Sequence, residues 1–458
     1  MVESTQVDIA FAEHRQAVEE LRRQYAALPT DTPVRLTKPT SNLYRTRQRH
    51  SGPSLDVRHL DRVLSVDPES RTAEVQGMAT YETIADATLA QGMLPPVVLD
   101  CKTITIGGGV AGTGAESSSF RGGLPHDGVR EMDILTGDGR VVTATRENEH
   151  AELFNGFAHS YGSLGYALRL RLELEPAKRY VRLRHIHTAS AREWVDTLLE
   201  IDSSGEYHGI PVDFVDGAYF AEDAVHLVLA DYTDDPPFVS DYTGQRIYYR
   251  TLRTRSQDYL TTRDYLWRWD TDLYWTSKLF GLENPLVRRL WPRRYRNAEM
   301  FRKIQMRMRQ SGLADRATSA IGRPVEWVLQ DADLPVESVP DFLEFFAREI
   351  GISPVWLCPM RLRTPATLYP IDRNRLYVSV GFWWPLRQRV GEAPDYHNRL
   401  IERAIAELGG HKPLYSTAHY TEKEFWRHYG GDTYRKLEET YDPDNRLPDL
   451  YDKCVKGR

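Results

Sequence analysis

Between Lys102 and Gly123 the chain reads KTITIGGGVAGTGAESSSFRGG. Glycines at this density offer backbone N–H groups to a phosphate at close range, because no Cβ intervenes. The spacing Gly107-x-Gly109-x-x-Gly112 matches the dinucleotide fingerprint, but that fingerprint works only at a strand-to-helix junction early in a βαβ unit. The sequel, ESSSFRGGLPHDG, cannot form the amphipathic helix such a unit requires. A glycine-rich surface loop and a phosphate cradle of another architecture both remain open, and the cradle is the expectation. A second donor cluster supports it. Thr40, Ser41 and Asn42, inside KPTSNLYRTR, occupy a turn between extended stretches, either a nest for an anion or an ordinary Asx/Ser turn.

Other reactive side chains carry less. His185 and His187 in RHIHT share one face of a strand, but no third ligand lies near in sequence, so no metal is expected. Cys101, Cys358 and Cys454 are far apart, without the spacing of a disulfide framework or a zinc site. A reducing, cytoplasmic compartment follows. Cys358 in WLCPM reads as a small buried apolar residue. No nucleophile-elbow serine, P-loop or paired-carboxylate pattern is recognised.

The elements that must hold these residues can be read from periodicity. At 458 residues the chain suggests two domains or one large composite, able to bury a core unaided. LDRVLSV and TAEVQG alternate around DPESR and predict a hairpin. TYETIADATLAQG has helical periodicity, with Thr80 as N-cap and Gly92 past the end. EMDILTGDGRVVTAT predicts a second hairpin, closed by Asp138-Gly139 in a type I′ turn. YALRLRLELEP is a strand ending at Pro176. Many short strands without a βαβ rhythm make the class α+β. Beyond Pro176 come a strand at YVRLRHIHT and a helix near AREWVDTLLEID. Later helices are expected at VPDFLEFFAREIG and NRLIERAIAELGG, with a strand at RLYVSVGFWW between them.

Arg246 to Arg309 holds sixteen Lys/Arg, six Asp/Glu and twelve aromatics. Three readings stand: ordinary cap-domain packing, a phosphate-binding surface, or contact with anionic lipid headgroups. The net charge of −6 argues against nucleic acid as a partner. The N-terminal VDIAFAEHRQAVEELRRQYAAL is an amphipathic helix rather than a signal peptide, and no stretch approaches the roughly 18 apolar residues of a membrane span.

In order and spacing these segments resemble the flavoproteins of the vanillyl-alcohol oxidase / p-cresol methylhydroxylase superfamily. The resemblance is to its Δ24-sterol reductase branch and the bacterial methylene-fatty-acyl reductases. It rests on TITIGGGVAGTGAESSSFRGGLPHD, DILTGDGRVVTAT, ELFNGFAHSYGSLGYALRLRLELEPAKRYVRLR, PVWLCPMRL and the terminal LYSTAHYTEKEFWRHYGGDTYRKLEETY…LPDLYDKC. It implies a two-lobed FAD-binding domain over 1–178, an α+β substrate cap over 179–412, and a tail, 413–458, that returns to the flavin. Thr40, Ser41, Asn42 and Leu43 would line one side of the FAD. Thr105, Ile106, Gly107, Gly108, Gly109, Val110, Ala111, Gly112, Thr113, Gly114, Ala115, Glu116, Ser117 and Ser118 would wrap its pyrophosphate and ribityl chain, with Tyr166 against the flavin. Neither cradle segment holds the His or Cys that covalent members use, so non-covalent FAD is expected.

The activity implied is reduction of a lipid carbon–carbon double bond, with NADPH as electron source. His419 and Tyr420, in the tail segment LYSTAHY, are the implied proton donors, followed by Glu116. Arg outnumbers Lys by 49 to 10, the bias of a GC-rich bacterial coding sequence. That bias, with no counterpart to the sterol reductase's N-terminal membrane segment, favours a methylene-branched acyl chain reduced toward 10-methylstearate. A methyltransferase partner and a location peripheral to the inner face of the membrane, through 246–309, accompany that reading. The alternatives are a Δ24-sterol-type reductase, an alcohol or sugar oxidase of the same fold, and a lipid-surface flavin-binding protein without turnover.

Overall fold

Alternating apolar residues set the first sheet. In the computed structural model, which describes residues 2–30, 32–38, 40–45, 52–311, 325–389 and 391–457, Val63–Asp67 and Thr72–Gln76 form the expected hairpin. Thr80 caps the helix Tyr81–Leu89 by accepting the Thr83 N–H at 3.2 Å. Val129–Leu135 pairs with Val141–Thr145, but the turn is not type I′. Only Gly139 takes a positive φ, whereas type I′ requires it at both central residues. The Thr136 N–H instead reaches the Arg140 carbonyl at 2.9 Å, and residues 137–139 make the loop. The strand Tyr166–Glu173 enters the middle of this antiparallel sheet, between Thr72–Gln76 and Val129–Leu135. The N-terminal helix Val2–Ala26 packs Leu21 and Tyr25 against Leu135, Leu168 and Leu447.

The second sheet has seven antiparallel strands. Their order is Gln257–Thr261, Tyr180–Thr188, Ala224–Thr233, Phe214–Ala221, Val355–Met360, Tyr377–Arg387, Val325–Pro335. The helices Ala191–Ser204, Val339–Glu349 and Tyr396–Glu407 cover one face, where Trp194, Phe342 and Ile401 join Leu227, Leu229 and Val380. The other face is covered by the Arg/aromatic stretch. Tyr248, Tyr265, Trp269, Trp275 and Phe301 pack there on Val228, Ala230 and Trp356. A strand buried on both sides needs a continuous apolar run, which is what AVHLVLA provides. The molecule is thus α+β.

Residues 246–277 of that stretch are therefore largely interior, in line with the cap-packing reading, while 281–295 are mostly exposed. Its aromatics fill a core, and some of its arginines are buried with carboxylates: Arg268 with Asp216 at 2.6 Å and Arg288 with Asp272 at 2.6 Å. Its large apolar side chains that remain exposed are Leu286, Val287, Leu290, Tyr295 and Met308. No helix among the described residues is long and apolar enough to cross a membrane.

Candidate functional site

The glycine run forms a short helix, Ile106–Gly112, rather than an irregular loop. The Thr105 hydroxyl starts it by accepting the Gly108 N–H at 3.3 Å, and Thr113 ends it in the left-handed region at φ 53°. The glycines divide by job. A Cβ at Gly107 would stand 2.9 Å from the Gly77 carbonyl oxygen, and one at Gly109 would stand 2.8 Å from the Tyr81 ring, so both serve close packing. A Cβ at Gly108 would meet only the Thr105 hydroxyl, at 3.1 Å, and otherwise open space.

That open space belongs to a cavity of about 270 Å³, walled by both sheets' surroundings and by the tail. Thr40, Ser41, Asn42 and Leu43 line it, as do Thr105, Gly107, Gly108, Gly109, Ala111, Gly112, Thr113, Gly114, Ala115, Glu116 and Tyr166. The cradle segments are tied to one another. The Thr40 hydroxyl donates to the Thr103 carbonyl at 2.9 Å, the Thr103 hydroxyl donates to Asn42 Oδ1 at 3.3 Å, and the Tyr44 N–H donates to the Tyr415 carbonyl at 2.9 Å. Tyr166 is fixed by donating its hydroxyl to the Val34 carbonyl at 3.2 Å. Thr46 and Arg47, at the end of KPTSNLYRTR, lie outside the described residues.

Four cradle candidates lie off the wall. Ile106 and Val110 turn into the core of the first lobe. Ser117 is held from both sides, its hydroxyl accepting from Tyr265 at 3.1 Å and its carbonyl from the Val215 N–H at 2.7 Å. Ser118 only begins the next turn of helix, Ser119–Gly122.

The remaining wall is acidic and aromatic. The Asp100 N–H donates to Glu116 Oε1 at 2.7 Å, which places two buried carboxyls side by side. Burial, then repulsion by Asp100, raises the Glu116 carboxyl well above its usual range. A second pair comes from the strand Val325–Pro335, where Asp331 and Asp333 sit i, i+2 and both reach the cavity. Burial and the neighbouring Asp333 raise Asp331 strongly, and burial pushes Asp333 up to about 6. The Tyr415 hydroxyl donates to Asp331 Oδ1 at 3.1 Å and accepts the Trp383 indole N–H at 2.9 Å. Arg302, from the helix Ala298–Ser311, also lines the cavity; its Nε is buried without a hydrogen-bond partner, and no ion pair holds it among the described residues.

The tail does return to the cavity, but through Pro413 and Tyr415; His419 and Tyr420 do not line it. The reason is a buried anchor. Glu402 accepts the His419 N–H at 3.1 Å and pairs with Lys412 at 2.6 Å, while Arg399 donates to the His419 carbonyl at 2.9 Å. Burial and the Lys412 charge lower His419 to about 3, so its imidazole is neutral and is no acid at physiological pH. Tyr420 packs on His428 and Tyr429 instead. Sequence reasoning missed Tyr415, although it lies in the same LYSTAHY segment. It also missed the paired carboxylates, although Asp331 and Asp333 interrupt an apolar strand on one face.

This donor set suits a flavin dinucleotide: a helix start without side chains toward open space, hydroxyls on two tied loops, an unpaired guanidinium, and carboxyls whose ionisation is opposed by burial. Comparison with known proteins points the same way. A family model described as an FAD binding domain matches residues 9–145. The Δ24-sterol reductase of Arabidopsis thaliana is 28% identical over 455 residues, covering 91% of this chain and 79% of that protein. That of Rattus norvegicus is 26% identical over 421 residues, covering 86% and 76%. Cytokinin dehydrogenase 2 of Oryza sativa subsp. japonica is 29% identical over 162 residues, 34% of this chain and 28% of that one. With the cradle and the paired loops in place, the chain is an FAD-dependent oxidoreductase that carries an FAD-binding domain and is similar along most of its length to Δ24-sterol reductases.

Proposed function

We propose that the protein reduces a carbon–carbon double bond in a lipid, and that a sterol-type side-chain alkene is the substrate. The observation that carries the reading is the proton-bearing Asp331–Tyr415–Trp383 group on the wall of the glycine cradle's own cavity. An alcohol oxidase needs a base to take the substrate's proton. Here burial raises Glu116 and Asp331 well above the usual carboxylate range, which favours the proton-bearing form that a reductase needs. The relatives matched along most of this chain are named sterol reductases, and this favours the sterol-type alkene over the methylene-branched acyl chain expected from composition. With the acyl chain, the methyltransferase partner also loses its support.

In this reading the FAD lobes, 1–178, and the tail hold the cofactor while 179–412 caps the substrate. Thr40 to Leu43, the start of the helix Ile106–Gly112, Thr113 to Glu116 and Tyr166 would hold FAD, and Arg302 would answer its negative charge. Attachment is non-covalent. The wall's thiol, Cys101, is kept protonated by burial and by Asp100, whereas the thiolate is the nucleophile. When bound and reduced by NADPH, FAD supplies the hydride. Leu273, Tyr274, Trp356 and Trp383 present an apolar surface to the alkene and keep water from the reacting carbons. Tyr415 gives its proton to one of those carbons. The Trp383 N–H then hydrogen-bonds the phenolate oxygen left behind, and the strong upward shift of Asp331 limits the negative charge beside it.

Lipid extracts of cells expressing the protein decide the substrate. A supplied Δ24-sterol should become its saturated counterpart. Saturation of methylene-branched acyl lipids alone would favour the acyl chain, and saturation of neither would overturn the reductase reading.

A further inference from the structure

The helix Pro285–Leu290 is inside out. Its arginine points inward: Arg288 is 1% exposed, paired with Asp272 through both terminal nitrogens and bonded to the carbonyls of Gly244 and Arg246. Its leucines point outward. Leu286 and Leu290, one helical turn apart, are 71% and 83% exposed, more than any other large apolar side chain described. The buried ion pair and the Asn284 cap, which accepts the Leu286 N–H at 2.9 Å, fix that presentation. Arg289, Arg293 and Arg294 stand exposed around the leucines, and none has an ion pair among the described residues. Trp291 and Tyr295 complete the rim, the indole N–H donating to the Tyr295 carbonyl at 3.2 Å.

We propose that residues 284–295 dock the protein on an anionic lipid bilayer, with Leu286 and Leu290 entering the headgroup–acyl boundary and Arg289, Arg293 and Arg294 on lipid phosphates. An apolar tip ringed by unpaired arginines and aromatics matches an anionic interface. It does not match a protein partner, since two leucines, a valine and a tyrosine fall short of the roughly 800 Å² per side that a stable protein interface buries. The edge leads directly into the site, because the next helix supplies Ala298 and Arg302 to the cavity wall. The proposal rests on the lipid-substrate reading for its purpose, yet it is measured without turnover.

The test is co-sedimentation of the FAD-loaded protein with vesicles of phosphatidylcholine alone or mixed with phosphatidylglycerol. Binding is expected only to the mixed vesicles, and high salt should weaken it. Arg289→Gln, Arg293→Gln and Arg294→Gln together should lower affinity about a hundredfold, at about fivefold per charge. Leu286→Ser with Leu290→Ser should lower it at least about tenfold. Arg192→Gln with Arg435→Gln, exposed elsewhere, should leave it unchanged. Retained flavin absorbance shows that each variant is folded. Binding that ignores both sets of substitutions, or that is equal on neutral vesicles, overturns the proposal. So does a concentration-dependent dimer that the leucine variant dissolves, which would make a second copy the occupant. Failure of turnover on detergent-dispersed lipid with docking intact would count against the reductase reading alone.

Discussion

Tyr415 and His419 are four residues apart on one tail segment, yet only Tyr415 reaches the cavity, so substitutions at the two positions separate the proposed chemistry from its surroundings. A positioned general acid is typically worth about 10²–10⁴-fold. Tyr415→Phe should slow flavin re-oxidation by the alkene by about that factor while NADPH still reduces the flavin at its normal rate. Asp331→Asn should act in the same direction, and His419→Ala should leave both halves near normal. Rapid-mixing absorbance at the flavin band reads each half; equal slowing of both halves in Tyr415→Phe would make that residue a support of the flavin rather than a donor. The segment was legible in the sequence and the residue was not. Which side chain faces the cavity depends on the Glu402–Lys412 pair that pins His419, and neither partner's burial can be read from LYSTAHY alone.

The glycine helix makes a prediction of its own. Gly108→Val should leave the apoprotein folded but nearly free of flavin, because its side chain enters space that the protein does not fill. Gly107→Val should fail earlier, at folding, because its Cβ would meet the Gly77 carbonyl. Thr105→Ala, which removes the cap, should cost roughly 0.5–2 kcal/mol. Flavin-to-protein absorbance ratios and apoprotein melting distinguish these cases; full occupancy in Gly108→Val would remove this helix from the cradle. The elements with strong periodicity, the first hairpin and the helix Tyr81–Leu89, follow directly from sequence. Those governed by close approach do not. Seven residues of which four are glycine carry no helical signal, and the helix exists because Thr105 caps it and the neighbouring Gly77 and Tyr81 leave no room for side chains. Likewise, composition leaves packing and surface readings of the Arg/aromatic stretch open, and only burial of Arg268 and Arg288 with their carboxylates shows which part of it is interior.

For the whole molecule, buried carboxyls dictate how stability depends on pH. Glu116 and Asp331 are raised well above the usual range and Asp270 is raised to about 7, in each case first by burial. The native state therefore keeps protons that the unfolded chain, with carboxyls near 4, has released. The stability they contribute is complete below about pH 4 and is lost as pH rises through about 7 and beyond. His226 and His411, both lowered to about 4 by burial, act in the opposite sense, but only below about pH 6.5, where unfolded imidazoles gain a proton. As pH rises from about 6.5 through the Asp270 value near 7, the carboxyls act unopposed by histidine, so the melting temperature should fall, and Asp270→Asn should flatten the decline. A rising profile would mean that these groups are ionised in the native state. The central claim is tested most directly by reducing the FAD-loaded protein under argon and mixing it with a Δ24-sterol in detergent. The account predicts that oxidised-flavin absorbance returns without dioxygen and that saturated sterol forms in equal amount. Flavin that stays reduced with the sterol and with a methylene-branched lipid, yet re-oxidises at once in air, would contradict it.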